Sequence, residues 1–286
     1  MTLKQTLGEA SEKKVAVGHF NISDIAGLHA VAKAARELNV PVVIGLSEGE
    51  RGAVGLEESV ALVRSIAREY KQQIFINADH THSLEGAIAA VKAGYDSVVY
   101  DRSDLPFEDN IRETAEAVKQ LKAINPDVVV EGEIGFIGTG SEIHDAAPEL
   151  VLTTPEEATQ FIKETGVDVL APAVGNMHGM LKSMASGEVQ KRLHLEVVDS
   201  IKKATGIYLT LHGASGTNDD DMKKAIEAGI TQIHINTEIR IAWRKGLDQT
   251  LKDHPDELAP YKLLAASEEE VAKVVKDRLK LFNSLA

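Results

Sequence analysis

Short apolar runs rich in β-branched residues recur along the chain. Each is followed by a loop and then by a longer stretch with apolar residues three and four apart. The runs fall at 15–20, 42–47, 74–79, 97–101, 128–133, 167–174, 207–212 and 230–236. They are continuous rather than alternating, the pattern of strands covered on both faces. The stretches between and after them, 25–38, 56–70, 84–93, 110–124, 155–165, 189–205, 219–228 and 237–251, carry the periodicity of amphipathic helices. Punctuation agrees. Thr154-Pro155-Glu156-Glu157 supplies a cap, a proline at the first helical position and acids in the first turn. Gly94, Gly166, Gly206 and Gly229 each stand between a helix and the next run, where a left-handed stop belongs. Eight strand–helix units without a low-complexity linker predict a (β/α)8 barrel, an α/β fold. One domain is expected over 1–286, with a helical tail from about 260 that includes a helix at 268–282. A doubly wound open sheet fits less well, because no GxGxxG follows a strand and no unit reads as an edge.

In such a barrel the chemistry gathers at the carboxyl ends of the strands. The third run ends in Asn77-Ala78-Asp79-His80, the fourth in Asp101 and the fifth in Glu131-Gly132-Glu133. The sixth leads to Asn176-Met177-His178-Gly179, the seventh ends in His212-Gly213-Ala214-Ser215-Gly216, and the eighth in His234-Ile235-Asn236-Thr237. His80, His178 and His212 therefore each stand just past a different strand. Three imidazoles so placed can converge above the barrel as a three-ligand zinc site with an open fourth position. Taken singly, each is equally a solvated loop residue or a packed core residue. His29 and His194 fall on helical stretches and His254 in a polar loop, while His19, His82 and His144 stay open. Asp79 points away from its neighbour His80 and is a candidate acid/base, with an N-cap for the helix near Ser83 as the alternative. The small residues after His212, and Asn236-Thr237 at the mouth of a helix, offer backbone N–H groups to a phosphate.

Composition narrows the chemistry. The absence of cysteine excludes disulfides, thiolate catalysis, cysteine-type zinc sites and iron–sulfur clusters. A net charge of −13 repels nucleic-acid backbones and anionic bilayers, so neither is an expected partner. No apolar run approaches the roughly 20 residues of a membrane span, and Met1-Thr2-Leu3-Lys4-Gln5-Thr6 opens no secretory signal. A cytoplasmic protein is expected.

The strand-end motifs are recognisable as a set. Phe20-Asn21, Asn77-Ala78-Asp79-His80, Asp101 with Asp104-Leu105-Pro106-Phe107-Glu108-Asp109-Asn110-Ile111, Glu131-Gly132-Glu133-Ile134-Gly135, Val174-Gly175-Asn176-Met177-His178-Gly179, Leu211-His212-Gly213-Ala214-Ser215-Gly216 and Ile235-Asn236-Thr237-Glu238 resemble the class II, zinc-dependent fructose-bisphosphate aldolases. The resemblance runs from about His19 to the tail. It implies reversible aldol cleavage of fructose 1,6-bisphosphate to dihydroxyacetone phosphate and glyceraldehyde 3-phosphate, by a homodimer or homotetramer. It implies zinc on His80, His178 and His212, with Glu133 and Asp101 at a second or displaced metal position. Asp79 would serve the C4 hydroxyl. Glu142, in the loop Gly138-Thr139-Gly140-Ser141-Glu142, would move the C3 proton. Asn21, Ser47, Gly179, Lys182, Gly213, Ala214, Ser215, His234, Asn236 and Thr237 would line the substrate pocket, and Lys262 would meet the distal phosphate. Gly179 and Ser215 would also line a site for a monovalent cation, Na+ or K+.

Four positions depart from the family pattern. Asn77 stands where the family has the first histidine of His-x-Asp-His, His234 where it has asparagine, Ala214 where it has a second glycine, and Lys262 where it has the arginine for the distal phosphate, a point charge without bidentate geometry. They leave the metal set intact and bear on the substrate, so fructose and tagatose bisphosphates both stay open. A Schiff-base aldolase would need a lysine on a strand, and none of the eight runs contains one. A metal-dependent hydrolase would favour two histidines one residue apart on a strand; His80 and His82 have that spacing but read as loop residues. A non-catalytic sugar-phosphate binder on the same barrel is the third rival.

Overall fold

A computed structural model of the chain describes residues 1–138, 140–144, 151–186 and 188–285. Its strands are β1 (Val17–Asn21), β2 (Val42–Leu46), β3 (Ile74–Thr81), β4 (Ser97–Tyr100), β5 (Val129–Ile134), β6 (Ile143–His144), β7 (Val169–Pro172), β8 (Met180–Leu181), β9 (Tyr208–Leu211) and β10 (Ile230–Ile235). Eight of them close a parallel barrel in the order β1-β10-β9-β7-β5-β4-β3-β2. Each of these eight overlaps one of the eight apolar runs. The two-residue strands β6 and β8 pair with each other and join the loops that follow β5 and β7. They were not expected.

A helix follows every barrel strand. Those at Ile25–Leu38, Leu56–Tyr70, Leu84–Ala93, Pro155–Thr165 and Asp219–Ala228 have the expected bounds. The reason is local: Asp24, Ser83, Thr154 and Asn218 cap four of them with side-chain oxygens. Helix Phe107–Ile124 begins three residues early, on Pro106, and helix Thr237–Asp253 runs two residues past its expected end. Helix Leu195–Thr205 begins late, because 189–194 is not helical and Lys191 bridges to Thr217. His194 therefore lies just before that helix, not on it. The tail helix Ala265–Phe282 packs between helices Ile25–Leu38 and Thr237–Asp253, and Ala16 N–H donates to the Phe282 carbonyl at 3.0 Å.

Besides the four-residue helices Lys182–Ala185 and Pro260–Leu263, two longer helices escaped the periodicity. Helix Leu3–Lys13 starts in a capping box made by Thr2 and Gln5, and helix Glu48–Val54 in one made by Ser47 and Glu50. The first plugs the amino end of the barrel: Leu3, Leu7 and Ala10 pack on Val17, Val43, Phe75, Val129 and Val169, each the first or second residue of its strand. The larger core lies between the sheet and the helix ring. Among the described residues no helix is long and apolar enough to cross a membrane.

Candidate active site at the carboxyl end of the barrel

Strand β3 runs through His80 to Thr81, past its expected end, with a register irregularity against β4 between Ala78 and Thr81. His80 there has φ +38°, on the left-handed side that costs an L-residue about 1–2 kcal/mol. His80 is thus a strand residue rather than a loop residue. Its Nδ1 lies 2.8 Å from Asp101 Oδ2, and Asp101 Oδ1 accepts from Ser103 N–H at 3.0 Å and Ser103 Oγ at 2.7 Å. His212, directly after β9, is built the same way: its Nε2 lies 2.6 Å from Glu131 Oε1, whose other oxygen accepts from Thr210 Oγ1 at 2.9 Å.

With those nitrogens tied to carboxylates, the remaining ones face each other, His80 Nε2 and His212 Nδ1 at 3.1 Å. Two lone pairs cannot face at that distance without a proton or a cation between them. His178 lies six residues beyond β7 and brings its ring centroid 4.6 Å from His80 and 5.9 Å from His212. Its Nε2 is buried without a partner, as is Glu133 Oε2. One ligand atom from each of His80, Glu133, His178 and His212 lies within 4.8 Å of the others. Three imidazoles and a carboxylate suit a zinc-type divalent cation, and imidazoles oriented by carboxylates are the usual second layer of such a site.

Charge supports that fit. Burial disfavours the His80 imidazolium, but Asp79, Asp101 and Glu133 outweigh it and raise its pKa to about 10. Burial, aided by Asp101, pushes the Glu133 carboxyl up to about 8. The bare cluster holds protons that a divalent cation would displace. Glu133 thus joins the histidine set itself. Asp101 sits behind His80 as its hydrogen-bond partner, outside the metal-capable groups found among the described residues.

Asp79 stands beside this set. Its Oδ2 accepts from Asn21 Nδ2 at 2.9 Å, while its Oδ1 has no hydrogen-bond partner, 3.7 Å from His80 Nε2 and 3.5 Å from His234 Nδ1. Burial opposes ionisation, but the neighbouring His80 charge overcomes it and holds the carboxyl well below the usual range. Ser83, not Asp79, caps the following helix. His19 lies inside the barrel on β1, stacked on His234 with centroids 3.4 Å apart, and its Nε2 is 3.1 Å from Asn77 Oδ1. Gly45 on β2 permits this: a Cβ there would sit 2.0 Å from His19 Cε1. Burial, reinforced by His19 and His212, drives the His234 pKa well below its usual value, so that ring is neutral.

Above these groups opens a cavity of about 290 Å³, near the lower limit for small-molecule sites. Asn21, Ser47, Asp79, His80, Asp101 and Glu142 line it, together with His178, Gly179, His212, Gly213, Ser215, His234, Asn236 and Thr237. Of the loop expected to carry Glu142, Thr139 lies outside the described residues. Glu133 and Ala214 are buried behind the wall, and Lys182 opens the short helix Lys182–Ala185. Lys262 is exposed, paired with Glu257 at 3.0 Å, and does not line this cavity. The cavity's arginine is Arg240, one turn into helix Thr237–Asp253. It donates to Glu50 Oε1 at 2.9 Å, and Glu50 Oε2 accepts from Asn21 Nδ2 and Ser47 N–H. Sequence reasoning missed Arg240, although it follows Asn236-Thr237 by one helical turn.

A closed parallel barrel with three imidazoles and a buried carboxylate at its carboxyl rim defines a metal-dependent (β/α)8 enzyme. Comparison with known proteins narrows the class. Residues 1–286 match the family described as fructose-bisphosphate aldolase class-II. The chain is 36% identical to a probable fructose-bisphosphate aldolase of Bacillus subtilis (strain 168), over 99% of this chain and 98% of that one. It is 33% identical to a fructose-bisphosphate aldolase of Geobacillus stearothermophilus, over 99% and 97%. Among solved structures, the YdjI aldolase from Escherichia coli K12 superposes with a TM-score of 0.82 at 31% identity, covering 99% of this chain and 97% of that one. The chain belongs to the class II fructose-bisphosphate aldolase family, zinc-dependent aldehyde-lyases.

Proposed function

We propose that this protein catalyses the reversible aldol cleavage of a ketose 1,6-bisphosphate, fructose 1,6-bisphosphate before others, to dihydroxyacetone phosphate and glyceraldehyde 3-phosphate. The observation that carries the reading is the convergence of His80, His178 and His212 with a buried, partnerless His178 Nε2. These three residues would hold the zinc, with Glu133 adjacent. When bound, zinc supplies Lewis acidity for the negative charge that appears beside a carbonyl as a carbon–carbon bond breaks.

The chain's own groups do the rest. Asp79, ionised and steadied by Asn21, takes the C4 hydroxyl proton as the C3–C4 bond breaks and its electron pair stays with the C3 fragment. Glu142, at the rim of the same cavity, returns a proton to C3. Gly179, Gly213, Ser215, Asn236 and Thr237 receive the proximal phosphate on backbone and side-chain donors, and Lys182 serves that end as a point charge. Arg240, in the cavity lining, serves the distal phosphate. Holding both ends fixes the reacting carbon against Asp79 and removes orientational freedom before the chemistry.

A tagatose bisphosphate is the second reading. It differs at C4, and His234 Nδ1 lies 3.5 Å from the carboxylate that would serve that carbon. The same proposal places a one-domain chain, working as a homodimer or homotetramer, in the cytoplasm. Dialysis against a chelator should abolish cleavage, and Zn²⁺ or Co²⁺ should restore it, with metal analysis giving one zinc per chain. Full activity in excess chelator would refute the reading, and a lysine adduct trapped by borohydride would replace it with Schiff-base chemistry.

A further inference from the structure

Lys191 lies in the non-helical segment before helix Leu195–Thr205 and is 3% exposed. Its Nζ donates to three backbone carbonyls, Met177 at 2.8 Å, Gly179 at 2.6 Å and Gly213 at 2.9 Å. An ammonium has three donors, and all three are used. Met177 and Gly179 flank His178, and Gly213 follows His212, so a single buried charge ties together the loops carrying two of the three imidazoles. The main chain of Lys191 is fixed as well: its N–H donates to Gly216 O at 2.9 Å, and its carbonyl accepts from Asn218 N–H at 3.1 Å. Gly213 is indispensable to this closeness. It has φ +56°, and a Cβ on it would sit 2.3 Å from Met177 O. Carbonyl dipoles pressed together in this way repel one another unless a cation lies among them.

Main-chain carbonyls converging on one point are the ligand set with which proteins strip water from a bare monovalent cation. We propose that the Lys191 ammonium is a built-in monovalent cation, filling a carbonyl cage behind the proximal end of the cavity, so that the enzyme needs no Na⁺ or K⁺ there. Gly179 and Gly213 supply cage carbonyls and also line the cavity, so the tethered charge holds the backbone against which the substrate phosphate would rest. Burial works against this charge and pushes the lysine towards about 7, while Glu238 favours it and the three carbonyls accept from its ammonium. The proposal rests on the aldolase reading only for its activity readout.

The test compares zinc-loaded wild type with Lys191→Met in choline, sodium, potassium and ammonium chlorides at one ionic strength. Cleavage rate, thermal unfolding midpoint and ²³Na line width are measured. Wild type should give the same rate and midpoint in all four salts and leave the sodium line sharp. Lys191→Met should lose about tenfold or more in choline, the scale of a lost outer-layer partner. Potassium or ammonium should restore part of the rate and raise the midpoint, and the variant should broaden a sodium signal that potassium sharpens. A wild type strongly activated or stabilised by Na⁺ or K⁺ would overturn the proposal without any variant. A folded Lys191→Met that responds to no monovalent cation would reduce the lysine to a structural tie. If neither protein cleaves a ketose bisphosphate, the midpoint and sodium measurements still decide the cage, and the substrate reading alone fails.

Discussion

The two ends of the barrel interior are built on opposite terms. At the amino end, Leu3, Leu7 and Ala10 meet the first or second residues of five strands in an apolar plug. At the carboxyl end, His19, Asp79, Glu131, Glu133, His212 and His234 are buried together. Every buried side-chain polar atom without a partner among the described residues belongs to this end or its cavity wall, except Thr217 Oγ1 beside the Lys191 bridge. An apolar plug gains stability from each buried methylene. A cluster of orphaned nitrogens and oxygens costs stability unless something binds it. The fold concentrates its unsatisfied groups where a cation and a substrate would satisfy them.

The sharpest way to break this contrast is at Asp79, a buried carboxylate that lines the cavity with one oxygen left without a hydrogen bond. Asp79→Asn should retain zinc, because the three imidazoles are untouched, and lose about 10²–10⁴-fold in kcat, the range for a missing acid/base. The rate should be read beside the metal content. Unchanged turnover at full zinc would move the proton transfer elsewhere. A smaller effect is expected one layer back. Glu131 tethers His212 at 2.6 Å and touches no cavity surface. Glu131→Gln keeps the volume and removes the charge, and zinc affinity should fall about 10–100-fold. Competition against a chromogenic chelator measures it. Equal affinity in the two proteins would make Glu131 a packing residue of the core.

Much of this was legible along the chain because the informative signals are local. Strands buried on both faces leave continuous apolar runs, and helix caps fall within three residues of their partners. The three converging histidines were visible because the barrel gives strand ends a common destination. What escaped depends on contacts distant in sequence. Glu131 acquires its role from His212, 81 residues away, and Arg240 from Glu50, 190 residues away. Lys191 was hidden in a stretch whose helical pattern is overruled by its bridge to Thr217. Helix Glu48–Val54 carries two glycines, which blur any periodicity. Lys262, expected at the distal phosphate, is exposed and paired with Glu257.

The amino-end plug offers the converse experiment, where the effect on chemistry should be nil. Leu7 is fully buried among residues near the starts of strands, at the far end of the barrel from the cavity. Leu7→Ala removes three carbons from a packed site and should lower the unfolding free energy by about 2–5 kcal/mol. Urea titration of the zinc-loaded protein reads this as a lower midpoint with an unchanged slope. At temperatures where the variant stays folded, kcat and KM per native chain should equal those of the parent, since the plug closes the opposite end of the barrel from the cavity. A several-fold change in either constant would mean that the plug sets the height of the strands, and with it the spacing of the imidazoles. The barrel would then transmit strain along its axis, and the separation of a stabilising end from a reactive one would fail.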